Sequence, residues 1–186
     1  PLGMASAMSG LEAARHVPYS TVVIAMEGNG VTYGIKVAGL GNQWFTAPAP
    51  RLEGEYVAAD IKVEDVLPWI GDSCMLEACG LGGSAAAAAP AVMRSQGLSW
   101  MDGIERSRLT EEITLARHES YLVPALDYQG TPLGIDIRKV LRTGIEPVIH
   151  GGIISKSGKR LGAGVAHVPM KCFEGAIEGY AERYGL

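Results

Sequence analysis

A single carboxylate inside an apolar run is the first group in this sequence that is suited to catalysis. Glu77 is the one charged residue in residues 74–81. Burial disfavours the charged form of a carboxyl group, so a residue in this position is a candidate for general acid or base catalysis. A carboxylate that pairs with Arg138 or caps a turn accounts for the same pattern equally well. Both interpretations of Glu77 stay open.

A glycine-rich turn follows this glutamate directly. Residues 80–84 read G-L-G-G-S, and five alanines come next. Glycines allow positive φ, and the unpaired N–H groups at a helix start attract anions. We therefore consider an anion site at Gly82, Gly83 and Ser84, with the hydroxyl of Ser73 nearby. The alternative is close packing of a helix on a sheet, since G-L-G-G is not a phosphate-loop or dinucleotide fingerprint.

Other candidate groups lie near the ends of predicted elements. His150 stands beside two glycines at a strand end, where an imidazole could move protons; a histidine that only fills a polar pocket is the alternative. Arg138 offers a bidentate donor and Lys156 an ammonium group, although Arg138 also complements a helix dipole. Thr131 could supply a hydroxyl contact. Trp44, in a loop bracketed by glycine and proline, either walls a pocket or anchors the loop.

Alternating and helical periodicities predict the elements that hold these residues. A β-branched run, Gly28-Asn29-Gly30 and a second run predict a hairpin over residues 21–37. Residues 100–117 are predicted to form one amphipathic helix or two short ones, and their charged residues are most simply a solvated face. Further helices are predicted at residues 135–142 and 170–184, and strands at 121–126, 147–154 and 162–165. This order favours an α+β fold with a single domain, in which helices pack on a mixed β-sheet built from hairpins.

Length and composition limit the classes of function. A chain of 186 residues with 47% hydrophobic residues is long enough for one compact domain. A net charge of −4 and few aromatic residues argue against a nucleic-acid partner. No apolar run has the length of a membrane span, so we predict no membrane association. We interpret Pro1-Leu2-Gly3 as the remnant of a protease site, residues 1–18 as an arm, and residues 19–186 as the domain.

The cysteines indicate a reducing compartment and no metal site. An odd number of cysteines, Cys74, Cys79 and Cys172, cannot be fully paired in disulfides, which makes the cytoplasm the expected location. Cys74 and Cys79 lack zinc-ligand spacing, and all three are interpreted as small buried hydrophobic residues. We predict neither a metal nor a cofactor.

Several segments together resemble the C-terminal part of the AllG-like (YlbE/YahG) family. They follow the family's order from about Tyr19 onward: G-V-T-Y-G-I-K-V-A-G-L-G-N-Q-W-F-T-A-P at residues 30–48, I-G-D-S and G-L-G-G within 70–91, E-I-T-L at 112–115, P-A-L-D-Y-Q-G-T-P-L-G-I-D-I-R-K-V at 124–140, and G-A-G-V with P-M-K-C-F within 162–173. The resemblance implies a domain-of-unknown-function family, one group of which is associated with oxamate carbamoyltransferase. It also implies a fragment or a shortened stand-alone relative of a longer protein.

Departures from the family pattern concern polar positions. Asn42 and Gln43 stand where the family has Asp-Arg, and H-G-G-I-I-S-K at residues 150–156 stands where it has Asn-Thr-Gly-Ile-Ala-His-Lys. The chain retains Asp72, Ser73, Glu77, Thr131, Asp136, Arg138 and Lys156. A retained scaffold with changed polar side chains implies an altered substrate, altered chemistry or lost activity.

The resemblance implies a small-molecule enzyme with carbamoyl-transfer-type chemistry on a carboxylate or amide substrate. On the chemistry of the residues themselves, we predict Glu77, His150 and Arg138 as catalytic residues and Ser73, Gly82, Gly83, Ser84, Trp44, Thr131 and Lys156 as substrate-binding residues. One alternative is a repurposed cyclase or isomerase that uses Glu77 and His150 for proton transfer. Another is a non-catalytic ligand-binding or assembly subunit. We expect a homo-oligomer, with other subunits as further candidate partners.

Overall fold

A computed structural model of the protein describes residues 2–57 and 61–186. Within these two stretches the chain forms six α-helices: Leu2–Glu12 (α1), Met75–Ala78 (α2), Pro90–Ser95 (α3), Trp100–Glu112 (α4), Ile137–Thr143 (α5) and Met170–Tyr184 (α6). Four 3-10 helices lie at Ala38–Leu40, Val63–Asp65, Gly82–Ala88 and Pro124–Leu126.

The strands of the same stretches form three sheets. They are Val23–Asn29 (β1), Thr32–Val37 (β2), Phe45–Pro48 (β3), Glu53–Tyr56 (β4), Ile70–Gly71 (β5), Thr114–Val123 (β6), Gln129–Ile135 (β7), Val148–Ile154 (β8) and Arg160–His167 (β9). Their orders are β3-β2-β1-β5, β4-β9-β8 and β6-β7. Every strand pair in the described part of the chain is antiparallel.

The first predicted hairpin is confirmed. β1 and β2 pair with Met26 opposite Ile35. At the turn, Asn29 Oδ1 accepts hydrogen bonds from the backbone N–H groups of Val31 (3.0 Å) and Thr32 (2.8 Å). Gly30 adopts φ +85° there, a conformation that glycine reaches at little cost. The local sequence therefore determines this turn.

The α+β class and the single domain are confirmed, although the strands do not join into one mixed sheet. The two-residue strand β5 pairs with the free edge of β1, and β4 becomes the third strand beside the hairpin β8–β9. β6 and β7 pair only with each other. The first two sheets share one hydrophobic core with α6, in which Val23, Ile149 and Phe173 are fully buried. The final helix matches its predicted range.

Two predicted helix boundaries differ from the structure. The helix predicted over residues 100–117 ends at Glu112, and the chain continues as β6. Thr114 pairs there with Ile135 of β7, so strand pairing overrides the helical periodicity. Ile135 accordingly belongs to β7, and α5 begins after Asp136, whose carboxylate accepts the N–H groups of Arg138 and Lys139 as an N-cap.

The glycine-rich segment lies at the meeting point of several elements. The 3-10 helix Gly82–Ala88 contacts α2, α4, β7 and β8. α4 begins with a capping box in which Ser99 and Asp102 exchange hydrogen bonds, which fixes the helix start. These contacts bring α2, α4 and β8 together around one turn.

The N-terminal residues include a helix. Within α1, Ala7 and Leu11 are buried, and Leu11 joins the main core. The interpretation of the first three residues as a protease-site remnant stays a prediction. Among the described helices, none combines the length and the apolarity needed to cross a membrane.

Candidate functional site

Glu77 is a buried hydrogen-bond acceptor. Its side chain on α2 is 2% exposed. Oε1 accepts hydrogen bonds from the backbone N–H of Gly83 (2.8 Å) and of His150 (3.1 Å). It also lies 3.2 Å from Nδ1 of the His150 ring. Three N–H groups from two distant segments therefore converge on one carboxylate oxygen.

The glycine-rich turn folds tightly around this carboxylate. Gly82 has φ +56°, and a Cβ on it would collide with Glu77 Oε1. A Cβ on Gly83 would lie 2.5 Å from the carbonyl oxygen of Val148. The turn presents the Gly83 N–H group to the carboxylate of Glu77. The predicted site for a substrate anion at this turn stays a prediction. Ser84 Oγ donates to the backbone oxygen of Glu77 (3.0 Å) and strengthens the turn.

His150 continues the hydrogen-bond chain on its other side. Its Nε2 lies 3.1 Å from Nη1 of Arg106. A guanidinium group can only donate, so Nε2 accepts this bond. It follows that Nδ1 carries the ring hydrogen and donates it to Glu77 Oε1, which makes His150 a neutral imidazole in a defined tautomer. The buried carboxylate thus orients the ring.

Arg106 is a candidate site residue that the sequence-based predictions do not include, because the charges of its helix are most simply a solvated face. Nη1 also donates to Gln96 Oε1 (3.2 Å). Burial lowers the pKa of the Arg106 guanidinium below its ordinary value, and Asp102 partly opposes this effect. Within residues 2–57 and 61–186, no carboxylate oxygen lies within 4.0 Å of the guanidinium.

The sequence carried a signal for Arg106. Gly103, Ser107 and Thr110 are buried along α4, and their spacing is helical. Arg106 lies three residues after Gly103 and four before Thr110, so it shares the face of these small residues. A charged residue on a small-residue face points inward or beside the core, not freely into solvent.

The hydrogen-bonded side chains of Glu77, His150 and Arg106 lie beside two clefts. His150 and Gln96 line a cleft of about 640 Å³ that also contains Glu55, Tyr56 and Arg160. Arg106 lines a second cleft of about 440 Å³, which runs between α4 and residues 144–148 and includes His167. The Arg106–His150 contact therefore lies where small molecules from either cleft could reach it.

Buried polar atoms without a partner cluster around the same turn. Among the described side chains, Glu77 Oε2 and Thr131 Oγ1 are buried and have no hydrogen-bond partner. A Cβ on Gly80 would lie 3.2 Å from Thr131 Oγ1, which places this hydroxyl beside the turn. The hydroxyl of Tyr33 is likewise unpartnered, and burial, with Cys74 and Glu77 adding smaller effects, raises the pKa of Tyr33.

Seven of the ten predicted site residues belong to this region. Ser73, just before α2, donates a hydrogen bond from Oγ to the backbone oxygen of His150 (3.2 Å) and so links this segment to β8. The group consists of Ser73, Glu77, Gly82, Gly83, Ser84, Thr131 and His150.

The other three predicted residues make their contacts elsewhere. Arg138, with a side chain 60% exposed, forms an ion pair with Asp136 (2.8 Å), so its partner is the N-cap of its own helix and not Glu77. Lys36 lies over the ring of Trp44 at 4.6 Å on the first sheet. Lys156 occupies the β8–β9 turn, where its N–H bonds to Asp65 O. The catalytic role of Arg138 and the substrate-binding roles of Trp44 and Lys156 stay predictions.

The fold and site place the chain in the class of α+β proteins with an oriented carboxylate–histidine pair beside a cleft. Comparison with known proteins gives its relationship. The family model described as "Oxamate carbamoyltransferase subunit AllG" matches residues 1–73. Two Escherichia coli K12 proteins match 100% of this chain: "Uncharacterized protein YahG" at 43% identity and "Oxamate carbamoyltransferase subunit AllG" at 39%. The resemblance to AllG-like proteins is confirmed.

The relatives are much longer than this chain. It spans 40% of YahG and 45% of AllG. A crystal structure of a conserved protein of unknown function from Enterococcus faecalis V583 aligns with a TM-score of 0.93 at 38% identity. That alignment covers 98% of this chain and 44% of the other. The family-model match ends before Glu77, so the site residues from Glu77 onward lie outside it.

Proposed function

We propose that this protein is part of a small-molecule enzyme that performs carbamoyl-transfer-type chemistry on a carboxylate or amide substrate. The observation that carries the proposal is the Glu77–His150–Arg106 chain at a cleft that also contains Arg160. The relation to a protein named as an oxamate carbamoyltransferase subunit, at 39% identity, supports the carbamoyl group as the one transferred. We expect activity in a homo-oligomer or in a complex with other subunits.

In the proposed carbamoyl transfer, Glu77, His150 and Arg106 each have a role. In transfer from carbamoyl phosphate to an amide such as oxamate, the amide nitrogen attacks the carbamoyl carbon, a C–N bond forms, and the C–O bond to phosphate breaks. His150 takes the proton from the attacking nitrogen and returns it to the leaving phosphate, which departs as hydrogen phosphate. Glu77 holds the ring and stabilises the transient imidazolium. The guanidinium groups of Arg106 and Arg160 offset the charge on the phosphate oxygens.

Turnover of carbamoyl phosphate with oxamate as acceptor tests this proposal. We expect His150→Gln to lower kcat by about 10²- to 10⁴-fold, the usual contribution of a positioned acid or base. His118→Gln is the matched control, because His118 lies in β6 and stacks on Tyr121. Absence of turnover in the unaltered protein, or an unchanged kcat in His150→Gln, would overturn the proposal.

Ligand binding tests the arginines separately. A ligand at 100 times its Kd stabilises the native state by about 2.7 kcal/mol, so phosphate and carbamoyl phosphate should raise the thermal midpoint. We expect Arg160→Gln to abolish this rise and Arg138→Gln to retain it, because Arg138 is already held by Asp136. The reverse pattern would assign the anion site to Arg138.

A second candidate function is an enzyme of proton transfer, such as a cyclase or isomerase. The Glu77–His150 geometry favours it, since an oriented neutral imidazole can act as a base in a reaction that has no phosphate among its substrates or products. Phosphate dependence separates the two functions, because carbamoyl exchange with phosphate requires this anion. A turnover that is indifferent to phosphate and lost in His150→Gln would support proton transfer.

A further inference from the structure

The proposed reaction needs an atom that is already engaged. His150 Nε2 must accept a proton, yet in this structure it accepts the hydrogen bond of Arg106 Nη1 at 3.1 Å. The contact with Arg106 therefore keeps His150 from acting as a base.

Among the described residues, the hydrogen-bond acceptors of the Arg106 guanidinium are neutral groups. They are His150 Nε2 and Gln96 Oε1, at 3.1 and 3.2 Å. Hydrogen bonds between a guanidinium and an anionic oxygen are about twice as strong as those between neutral groups. Asp102 attracts the guanidinium from the same helix, but no carboxylate of the described chain forms an ion pair with it, so an incoming anion would find a half-buried donor.

We propose that Arg106 is a cap on His150 that a small anion displaces. A phosphate or carboxylate oxygen binds the guanidinium, draws it away from Nε2, and frees that atom to take a proton. The inference rests on the proposed function and deepens it: substrate binding and activation of the base become one event. Arg106 is then a positioning residue for His150 as well as an anion ligand.

The surrounding charges fit this exchange. Glu77 on α2 faces Nδ1 from the core side, Arg106 on α4 faces Nε2, and Arg160 of β9 with Glu55 of β4 line the cleft. Glu77 Oε2 is buried without a partner, so the carboxylate retains unshared negative charge beside the ring. Once Arg106 leaves, that charge favours the imidazolium form.

Nuclear magnetic resonance of protein with ¹⁵N-labelled histidines tests the cap directly. The chain has four histidines, and the His150 signals are identified by their loss in His150→Gln. Without ligand we expect the neutral Nδ1–H tautomer. Near pH 6.5, inorganic phosphate should raise the ratio of imidazolium to neutral ring at His150 by about fivefold or more, which is within the usual range of coupling between two sites.

Matched variants separate the cap from a general effect of charge. Arg106→Gln should show the higher imidazolium fraction without phosphate and no response to it. Arg108→Gln, an exposed change on the same helix, should behave as the unaltered chain does. Arg106→Lys, which keeps the charge, provides a second test if Arg106→Gln does not fold. A phosphate response that persists in both Arg106 variants would overturn the inference.

The outcome is independent of turnover. If carbamoyl transfer occurs and phosphate leaves the His150 signals unchanged, the cap is refuted and the proposed function stands. If phosphate changes the His150 signals and carbamoyl transfer is absent, the cap stands and the proposed function fails. Oxamate in place of phosphate shows which anion Arg106 selects: a response to oxamate alone assigns the guanidinium to the carboxylate substrate.

Discussion

Glu77 Oε1 lies 3.2 Å from Nδ1 of His150, although the two residues are 73 positions apart in the sequence. One comes from the short helix α2 and the other from the strand β8. The glycine turn that follows Glu77 makes the approach possible, because side chains at Gly82 and Gly83 would occupy the space of the carboxylate and of β8. This contact fits the tautomer in which His150 Nδ1 donates to Glu77 and Nε2 accepts from Arg106.

Replacing Glu77 with Gln should weaken both stability and activity. The amide keeps an oxygen for the Gly83 N–H but places an NH₂ group at the buried Oε2 position, which has no partner. An unsatisfied buried donor costs about 1–3 kcal/mol, and the imidazolium loses its counter-charge. Urea unfolding and kcat are the measurements. Glu112→Gln, at an exposed position of α4, is the control; equal free energies of unfolding for both variants would contradict this role.

Gly83→Ala should disturb the site through the backbone. Its Cβ would lie 2.5 Å from the carbonyl oxygen of Val148 and 3.0 Å from the His150 ring. A carbonyl cannot rotate away as a side chain can, so we expect a loss of about 1–3 kcal/mol in the free energy of unfolding, together with a displaced His150. In the control Gly152→Ala, the nearest atoms lie at 3.6 Å, and stability should be nearly unchanged. Similar losses in both variants would refute the steric argument.

Asp136→Asn should destabilise the junction between β7 and α5. The carboxylate caps α5, accepts the Thr21 hydroxyl at 2.7 Å and pairs with Arg138. Asparagine is as good an N-cap as aspartate, but loss of the charge weakens the contacts with Thr21 and Arg138, which we expect to cost about 1.5–3 kcal/mol. Chemical denaturation near neutral pH measures this difference. Asp127→Asn is the control, because Asp127 is exposed and asparagine tolerates its left-handed conformation.

Lowering the pH should remove the stabilisation by the Asp136 carboxylate from the unaltered protein. Burial opposes ionisation of Asp136, but hydrogen bonds from Arg138, Thr21 and the Lys139 N–H together lower its pKa below the ordinary value. The stabilisation is therefore present above the unfolded pKa of about 3.9 and is lost as pH falls through the lower folded pKa. The difference between the protein and Asp136→Asn should shrink below about pH 4. A constant difference across this window would contradict the assignment.

The three thiols should react at different rates. Burial raises the pKa of Cys172 to about 12 and raises the pKa of Cys74 as well. Cys79 is less buried, and burial also raises its pKa. Because the thiolate is the reactive form, a maleimide near pH 8 should label Cys79 slowly and the other two only after denaturation. Mass spectrometry of digested protein measures the sites, and rapid labelling of Cys172 in the folded protein would contradict its burial.

Local features of the fold could be predicted because neighbouring residues determine them. The hairpin at Asn29 follows from a turn whose hydrogen bonds lie within three residues, and α6 follows from apolar residues at helical spacing. The end of α4 could not be predicted in this way. The residues after Glu112 have a helical pattern, yet they pair with β7, and that partner lies about twenty residues further along the chain.

For the candidate site, the sequence was sufficient to single out Glu77 as a lone carboxylate before a glycine turn. It also singled out His150, beside two glycines, as an imidazole that could transfer protons. The tertiary structure decided their partners. In the folded protein Glu77 contacts His150, and Arg138 pairs with Asp136. Arg106 contacts the His150 ring, although the sequence predicts that the charged face of its helix is solvated. The reason is that periodicity and turn chemistry act over a few residues, whereas a charge pair depends on which distant elements pack together.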